Sequence, residues 1–357
     1  MADVAGERRA CLIGTGLIGG SIGLGLRAQG WHVSGVDRDA ATQARALDRG
    51  AIDATGIDPA AAITFVAAPV QQVADLVRRA LAETAGAVTD VGSVKAGIVD
   101  EIDDPRFVGG HPMAGSEQLG IDGSAAELFE GAVWVLTPVA GTDADAHQLV
   151  RSVVRSLGAD VVELPPERHD ALVAVVSHVP HLTAAALMTI ADERADEHAA
   201  LLRLAAGGFR DMTRIAAGTP TIWPDICAEN RVAILDAIDQ VRGQLDHLRS
   251  LVEVGDRGGL LEVLERAQGA RRNLPGRAVQ PEALAELRVP ILDRPGGIAE
   301  VSTLAAELGV NISDLEIAHS SEGERGVLIL VVDRDGAEPL RAGLAALGYR
   351  PMVAPLR

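Results

Sequence analysis

The chain has 357 residues, enough for two or three domains at roughly 150 residues each. Its 50 acidic and 32 basic side chains give a formal net charge of −18, a field that repels phosphate backbones and argues against general nucleic-acid binding. Two cysteines, Cys11 and Cys227, are too few for a disulfide framework or a zinc site, and no uninterrupted apolar run of about 18 residues predicts a membrane span. This cysteine usage fits a reducing cytoplasm, and the opening MADVAGERRACLIG shows no signal-peptide pattern.

The first third alternates strand and helix. Residues 10–13 are an apolar run, followed by GTGLIGG and a helix to about Gly30. Strands are expected at 33–36, ending at Asp37, and at 63–68, stopped by Pro69. Short strands at 87–89 and 107–108 each lead into a Gly-rich turn, and 133–137 and 161–164 add edge strands. This alternation implies an α/β fold with a mostly parallel sheet covered on both faces. After Pro165 and Pro166 the strand signal stops until Asn273. There, Ile234, Ile238, Val241, Leu245, Leu248 and Val252 fall at steps of four and three and make one apolar stripe on a long helix. The stripe must pack within its domain or across a dimer interface. Residues 275–281 form a Pro- and Gly-containing linker. From Leu287 the order reads strand, helix, strand (311–318), strand (327–332), helix (338–347) and strand (349–353), a ferredoxin-like βαββαβ unit.

Gly14, Thr15, Gly16, Leu17, Ile18 and Gly19 form a GxGxxG turn between a strand and a helix. The glycines allow the tight turn and the approach of a pyrophosphate, whose charge the helix N-terminus favours. Asp37, about twenty residues on, can hold ribose hydroxyls. A carboxylate there repels a 2′-phosphate and favours NAD over NADP, whereas the neighbouring Arg38 can neutralise such a phosphate. His111 lies at the carboxyl end of a strand, where open α/β sheets bind ligands. His178 and His181 flank Pro180, which starts or kinks a helix; they can share a face as core or capping residues, and without a third ligand nearby no metal is expected. Arg210, Asp211 and Arg214 in GGFRDMTRIA are poor core material, and Trp223 sits between prolines.

GTGLIGGS, DVGSVK at 90–95, GGHPMAGSE at 109–117, SHVPH at 177–181 and GGFRDMTRIA at 207–216 occur in this order, followed by Trp223, Asp225 and the long helix. Together they resemble the prephenate dehydrogenase family over residues 8–275, and LDRPGGIAEVSTLAAELGVNISDLEI within 287–357 resembles an ACT domain. The resemblance implies a Rossmann-like doubly wound domain at 1–165, an all-α substrate and dimerisation domain at 166–280 and an ACT regulatory domain at 287–357. It implies oxidation of prephenate by NAD with loss of CO2, giving 4-hydroxyphenylpyruvate for tyrosine biosynthesis. His111 then accepts the proton of the substrate C4 hydroxyl, assisted by Ser93. Ser116 offers a hydroxyl and Glu117 gates the site. Arg214 binds a substrate carboxylate and is oriented by Asp211. Ser177, His178, His181 and Trp223 line the substrate pocket, and Ala68 and Pro69 join the cofactor residues. Lys95 is expected to be structural.

The resemblance also implies a homodimer. It implies an effector such as L-tyrosine or another aromatic amino acid at Asp293, Gly297, Asn311 and Ile312. Arogenate or dual-specificity cyclohexadienyl activity stays open, as does a non-catalytic NAD-sensing regulator. A β-hydroxyacid dehydrogenase fits less well, because residues 167–275 lack the lysine such enzymes use.

Overall fold

The computed structural model describes residues 8–115, 118, 120–195, 207–272, 284–292, 294–319 and 325–355. The chain divides into two compact units, Met1–Thr189 with Thr213–Gly243, and Ile190–Met212 with Gln244–Arg357.

The first unit begins with β1 (Arg9–Ile13), α1 (Leu17–Ala28), β2 (His32–Val36), α2 (Ala40–Asp48), β3 (Ala54–Thr55), β4 (Ile63–Val66) and α3 (Val70–Glu83). It continues with β5 (Ala87–Asp90), α4 (Ala96–Glu101), β6 (Phe107–Pro112), β7 (Val133–Thr137), α5 (Ala144–Ser156) and β8 (Asp160–Glu163). The strands form one sheet in the order β3-β2-β1-β4-β5-β6-β7-β8. The first six follow the doubly wound dinucleotide-binding order, in which the chain reverses direction between β1 and β4 and leaves a crevice at their carboxyl ends. After Arg9 at the start of β1, strands β1, β4 and β5 carry only apolar, Cys or Thr side chains until Asp90, as burial under helices on both faces requires. Asp39 starts α2 by accepting the amides of Ala41 and Thr42, and Asp143 starts α5 by accepting that of Ala146.

Two local expectations are corrected. The two-residue β3 is too short to carry a period and was missed. Gly109 and Gly110 are not a turn. Antiparallel pairing with β7 places Gly109 opposite Thr137 and His111 opposite Val135, which extends β6 to Pro112.

Helix α6 (Pro166–Val173) starts with proline at its first position, where no N–H is required. It runs through a π turn at Ala174–His178 into α7 (Val179–Ala195). Pro180 therefore neither starts nor breaks the helix; the wider turn before it accommodates the missing N–H and the ring. By length and composition Pro166–Arg194 is apolar enough to cross a membrane, although polar residues interrupt its apolar run. One side of it packs within the chain. Ala174 and Val179 pack against Ile234 and Ala237 of α10 (Arg231–Val254), and His169 and Asp170 bond toward the sheet. Between them lie α8 (Gly207–Thr213) and α9 (Trp223–Glu229). The apolar stripe on α10 splits along its length: Ile234 is buried within the chain, whereas Val241, Leu245 and Val252 are exposed.

In the second unit, after α11 (Arg257–Arg272), come β9 (Leu284–Leu292), α12 (Gly297–Glu307), β10 (Ile312–His319), β11 (Arg325–Asp333), α13 (Arg334–Ala346) and β12 (Met352–Pro355). The order β10-β11-β9-β12, antiparallel throughout, is the ferredoxin-like arrangement expected. Leu287, Val289, Leu328 and Leu330 bury one sheet face under Val301, Leu340 and Leu344 of the helices. The last strand lies a few residues later than expected, because Tyr349 turns back and donates its hydroxyl to Glu300.

Candidate active site

The Gly-rich loop leaves the carboxyl end of β1. Gly14 has φ +97°, and a Cβ there would lie 2.0 Å from the Ala67 carbonyl oxygen, so only glycine turns here. A Cβ on Gly16, the residue that begins α1, would meet nothing within 4 Å: the helix N-terminus opens onto free space. That space is a cavity of about 610 Å³ lined by Gly16, Leu17, Ile18, Gly19, Arg38, Ala68, Pro69, Ser93 and His111, and by Thr221, Ile222 and Asp225 from either side of Trp223 in the sequence. Gln71 of α3 donates to Asp225 at 2.8 Å and ties the two sides together. Backbone amides at a helix end, the Arg38 guanidinium and a cavity within the usual 300–1,000 Å³ of small-ligand sites are the donors and the room that a dinucleotide needs. Asp37 follows β2, and its carboxylate accepts the Thr15 amide at 2.8 Å, so it holds the loop from behind. Of the cofactor residues expected from the sequence, Gly16, Leu17, Ile18, Gly19, Arg38, Ala68 and Pro69 line this cavity, whereas Gly14, Thr15 and Asp37 are not among its lining.

His111, next to last in β6, lines this cavity, and a polar cluster lies behind it. Its Nδ1 is 2.9 Å from Nε2 of His169, and the rings meet edge to face. Nδ1 of His169 lies 2.7 Å from Oδ1 of Asp170. The two oxygens of Asp170 also accept the amides of Lys95 and Ala96 at 2.8 and 2.9 Å, which anchors α6 to the start of α4. Lys95 is fully buried, and its Nζ meets the Asp90 carboxylate. Asp90 also accepts the amides of Gly92 and Gly110, so it fixes the strand that carries His111. Burial, with the nearby His169, Lys95 and His178, pushes His111 well below its ordinary value. Burial lowers Lys95 while Asp90 opposes the shift.

The second group surrounds Trp223. The His181 ring stacks on it at 3.7 Å and 13°, and His178 meets it edge on at 6.1 Å. Asn230 donates to the backbone carbonyl of Asp170 at 2.9 Å and contacts Nδ1 of His178 at 3.2 Å. Burial takes His178 down to about 4 and also lowers His181. Ser177 is half-buried on the π turn, Arg214 opens an exposed turn after α8, and Asp211 is exposed on α8. Ser116, Glu117 and Asp293 lie outside the described residues. Gly297 is buried at the start of α12, Asn311 is exposed, and Ile312 is half-buried.

Sequence reasoning passed over His169 and Asp170. A signal was present: in PERHDALV the adjacent His-Asp pair stands directly before an apolar run, and such a pair needs partners once buried.

Two family models match the chain. "Prephenate dehydrogenase, nucleotide-binding domain" covers residues 22–163, and "Prephenate dehydrogenase, dimerization domain" covers 165–266. Prephenate dehydrogenase of Bacillus subtilis is 35% identical over 91% of this chain and 92% of its own length. The crystal structure of prephenate dehydrogenase from A. aeolicus, in complex with hydroxyphenyl propionate and NAD+, is 31% identical with a TM-score of 0.71, covering 76% of this chain and 100% of that one. Arogenate dehydrogenase of Synechocystis is similar at 32% identity and a TM-score of 0.65, over 74% and 98% of the two chains.

Proposed function

The chain belongs to the prephenate dehydrogenase family, and from that premise we propose that it converts prephenate and NAD to 4-hydroxyphenylpyruvate, CO2 and NADH. The observation that carries this reading is a histidine, His111, standing in the same cavity as the dinucleotide loop. NAD, when bound, supplies the hydride acceptor for substrate C4. His111 takes the C4 hydroxyl proton as the C4–H bond gives up its hydride. The bond to the ring carboxylate then breaks, CO2 leaves, and the electron pair enters the ring and makes it aromatic. The C4 oxygen, now a phenolate, takes the proton back. No proton leaves in the net reaction, so the base needs a well-held tautomer more than an exit path. Because its pKa is held below 6.5, His111 is neutral near pH 7 and free to act.

Around this step, Ser93, which lines the same cavity as His111, supplies a hydroxyl. Arg214, Ser177, His178, His181 and Trp223 form the substrate side, with Arg214 as the carboxylate anchor that a chain of net charge −18 needs locally. Gly14, Thr15, Gly16, Leu17, Ile18, Gly19, Asp37, Arg38, Ala68 and Pro69 hold the cofactor. The exposed Val241, Leu245 and Val252 of α10 are the face of a homodimer, which the matched dimerization-domain model supports. The βαββαβ unit serves as an ACT domain, binding an aromatic amino acid at Gly297, Asn311 and Ile312, and the enzyme works in the cytoplasm. Steady-state NADH formation by the purified chain, with prephenate or arogenate and with NAD or NADP, tests the reading. The expected result is the highest kcat/KM for prephenate with NAD. A preference for arogenate moves the chain to the amino-substrate branch of the family, and no turnover with either overturns the enzyme assignment.

A further inference from the structure

We propose that His169 is a positioning residue that, held by Asp170, fixes the tautomer of His111 so that Nε2 is the nitrogen left to take the substrate proton. The proposal rests on the reading of His111 as the base.

The argument is a count of hydrogens. Backbone amides can only donate, so the bonds from the amides of Lys95 and Ala96 make both oxygens of Asp170 acceptors. The contact from His169 Nδ1 to Oδ1, at 2.7 Å, is then filled by a hydrogen on Nδ1. A neutral His169 has its lone pair on Nε2. That atom is 2.9 Å from His111 Nδ1, so the hydrogen in this contact belongs to His111. A neutral His111 with hydrogen on Nδ1 has one remaining basic site, Nε2. Each contact holds one hydrogen, and the chain ends on two amides that no change of rotamer can reverse.

His169 is completely buried, and its partner Asp170 nearly so. A buried imidazole without a donor or acceptor would be costly, and here each nitrogen has one. When His111 becomes an imidazolium, Nδ1–H still donates to His169, and the carboxylate behind stabilises the charge without accepting the proton. The same logic governs the histidine of serine proteases, with the difference that a second imidazole stands between base and carboxylate. Such spacing keeps the Asp170 charge one ring further from His111, a weaker pull toward the protonated form. A base that must both take and return its proton within one turnover needs such balance.

The decisive measurement is the ¹⁵N spectrum of the histidines in the wild-type protein without substrate, with His111 assigned by its loss in His111→Asn. The expected pattern is hydrogen on Nδ1 and a bare Nε2. Hydrogen on Nε2 of His111 overturns the proposal, whatever the protein does with prephenate. In His169→Ala the signature is expected to become a mixture of tautomers, with kcat down by about 10²-fold and KM for NAD changed less than about threefold. In His169→Gln, whose amide oxygen can accept from Nδ1–H, kcat is expected to recover to within about tenfold of wild type. An unchanged His111 signature or kcat in His169→Ala refutes the role. If the tautomers come out as expected but neither prephenate nor arogenate is oxidised, the functional reading fails and the hydrogen-bond chain stands.

Discussion

Lys95 is the only lysine in the sequence; every other basic side chain is an arginine. It is buried in the ion pair with Asp90, directly under the strand that carries His111. Lys95→Met keeps most of the stem volume and removes the ammonium. The Asp90 carboxylate is then left buried with the Gly92 and Gly110 amides, at 2.8 and 3.0 Å, as its remaining donors. Removing one partner of a buried pair costs about 3–5 kcal/mol, and the two amides place this case near about 3 kcal/mol. Urea unfolding reads this loss. A second consequence concerns the base. Lys95 is among the groups that hold His111 low, so deleting its charge favours the protonated ring, and the acid limb of kcat/KM moves upward toward 6.5. Adding Asp90→Asn removes the stranded charge, so the double variant is expected to lose less than the two single losses combined. A stability loss below about 1 kcal/mol, or an acid limb that stays or moves down, refutes the reasoning.

His111→Asn is expected to bind NAD normally, by fluorescence titration, and to lose about 10²–10⁴-fold in turnover. Arg214→Ala is expected to raise KM for prephenate by about thirtyfold, or about 2 kcal/mol, while NAD affinity in the same titration stays near wild type. The fold holds His111, His178 and His181 below 6.5, so the unfolded chain binds more protons in acid. Stability from these groups is therefore complete above 6.5 and is lost as pH falls toward about 4, where His178 charges in the native state; urea midpoints measured across that window check it.

The parts of the fold set by local pattern were legible in the sequence. The strand, GxGxxG and helix lie within a few residues of one another and read as a unit; Gly19 has no room for a Cβ against the Gly14 carbonyl, whereas the demand on Gly14 comes from Ala67, after β4. Gly109 and Gly110 were not legible as strand, because their conformation is imposed by β7, a partner distant in sequence. The same distance hid the cluster behind the base: His111 and His169 are 58 residues apart, and nothing in the spacing of either points to the other. The α10 stripe announced an apolar face but not its cover, and the structure divides it between Ile234, inside, and Leu245, outside. Lys95 was expected to be structural, but its link to the electrostatics of His111 needed the third dimension.

The π turn at Ala174–His178 has a consequence for insertions and deletions. It amounts to one residue more than an α-helix would use over the same length, inserted between the part that carries His169 and the part that carries His178 and His181. Deleting Val176, which is exposed, would let the helix close into regular winding. An i→i+5 turn takes one residue more to make about the same rotation as an i→i+4 turn, so the side chains on either side would keep their relative direction. His169 would keep its place against His111, and His178 and His181 theirs against Trp223. The turn is thus the place where this helix can give up one residue without re-aiming either half of the site, whereas a deletion in the regular winding on either side would rotate everything beyond it by about 100°.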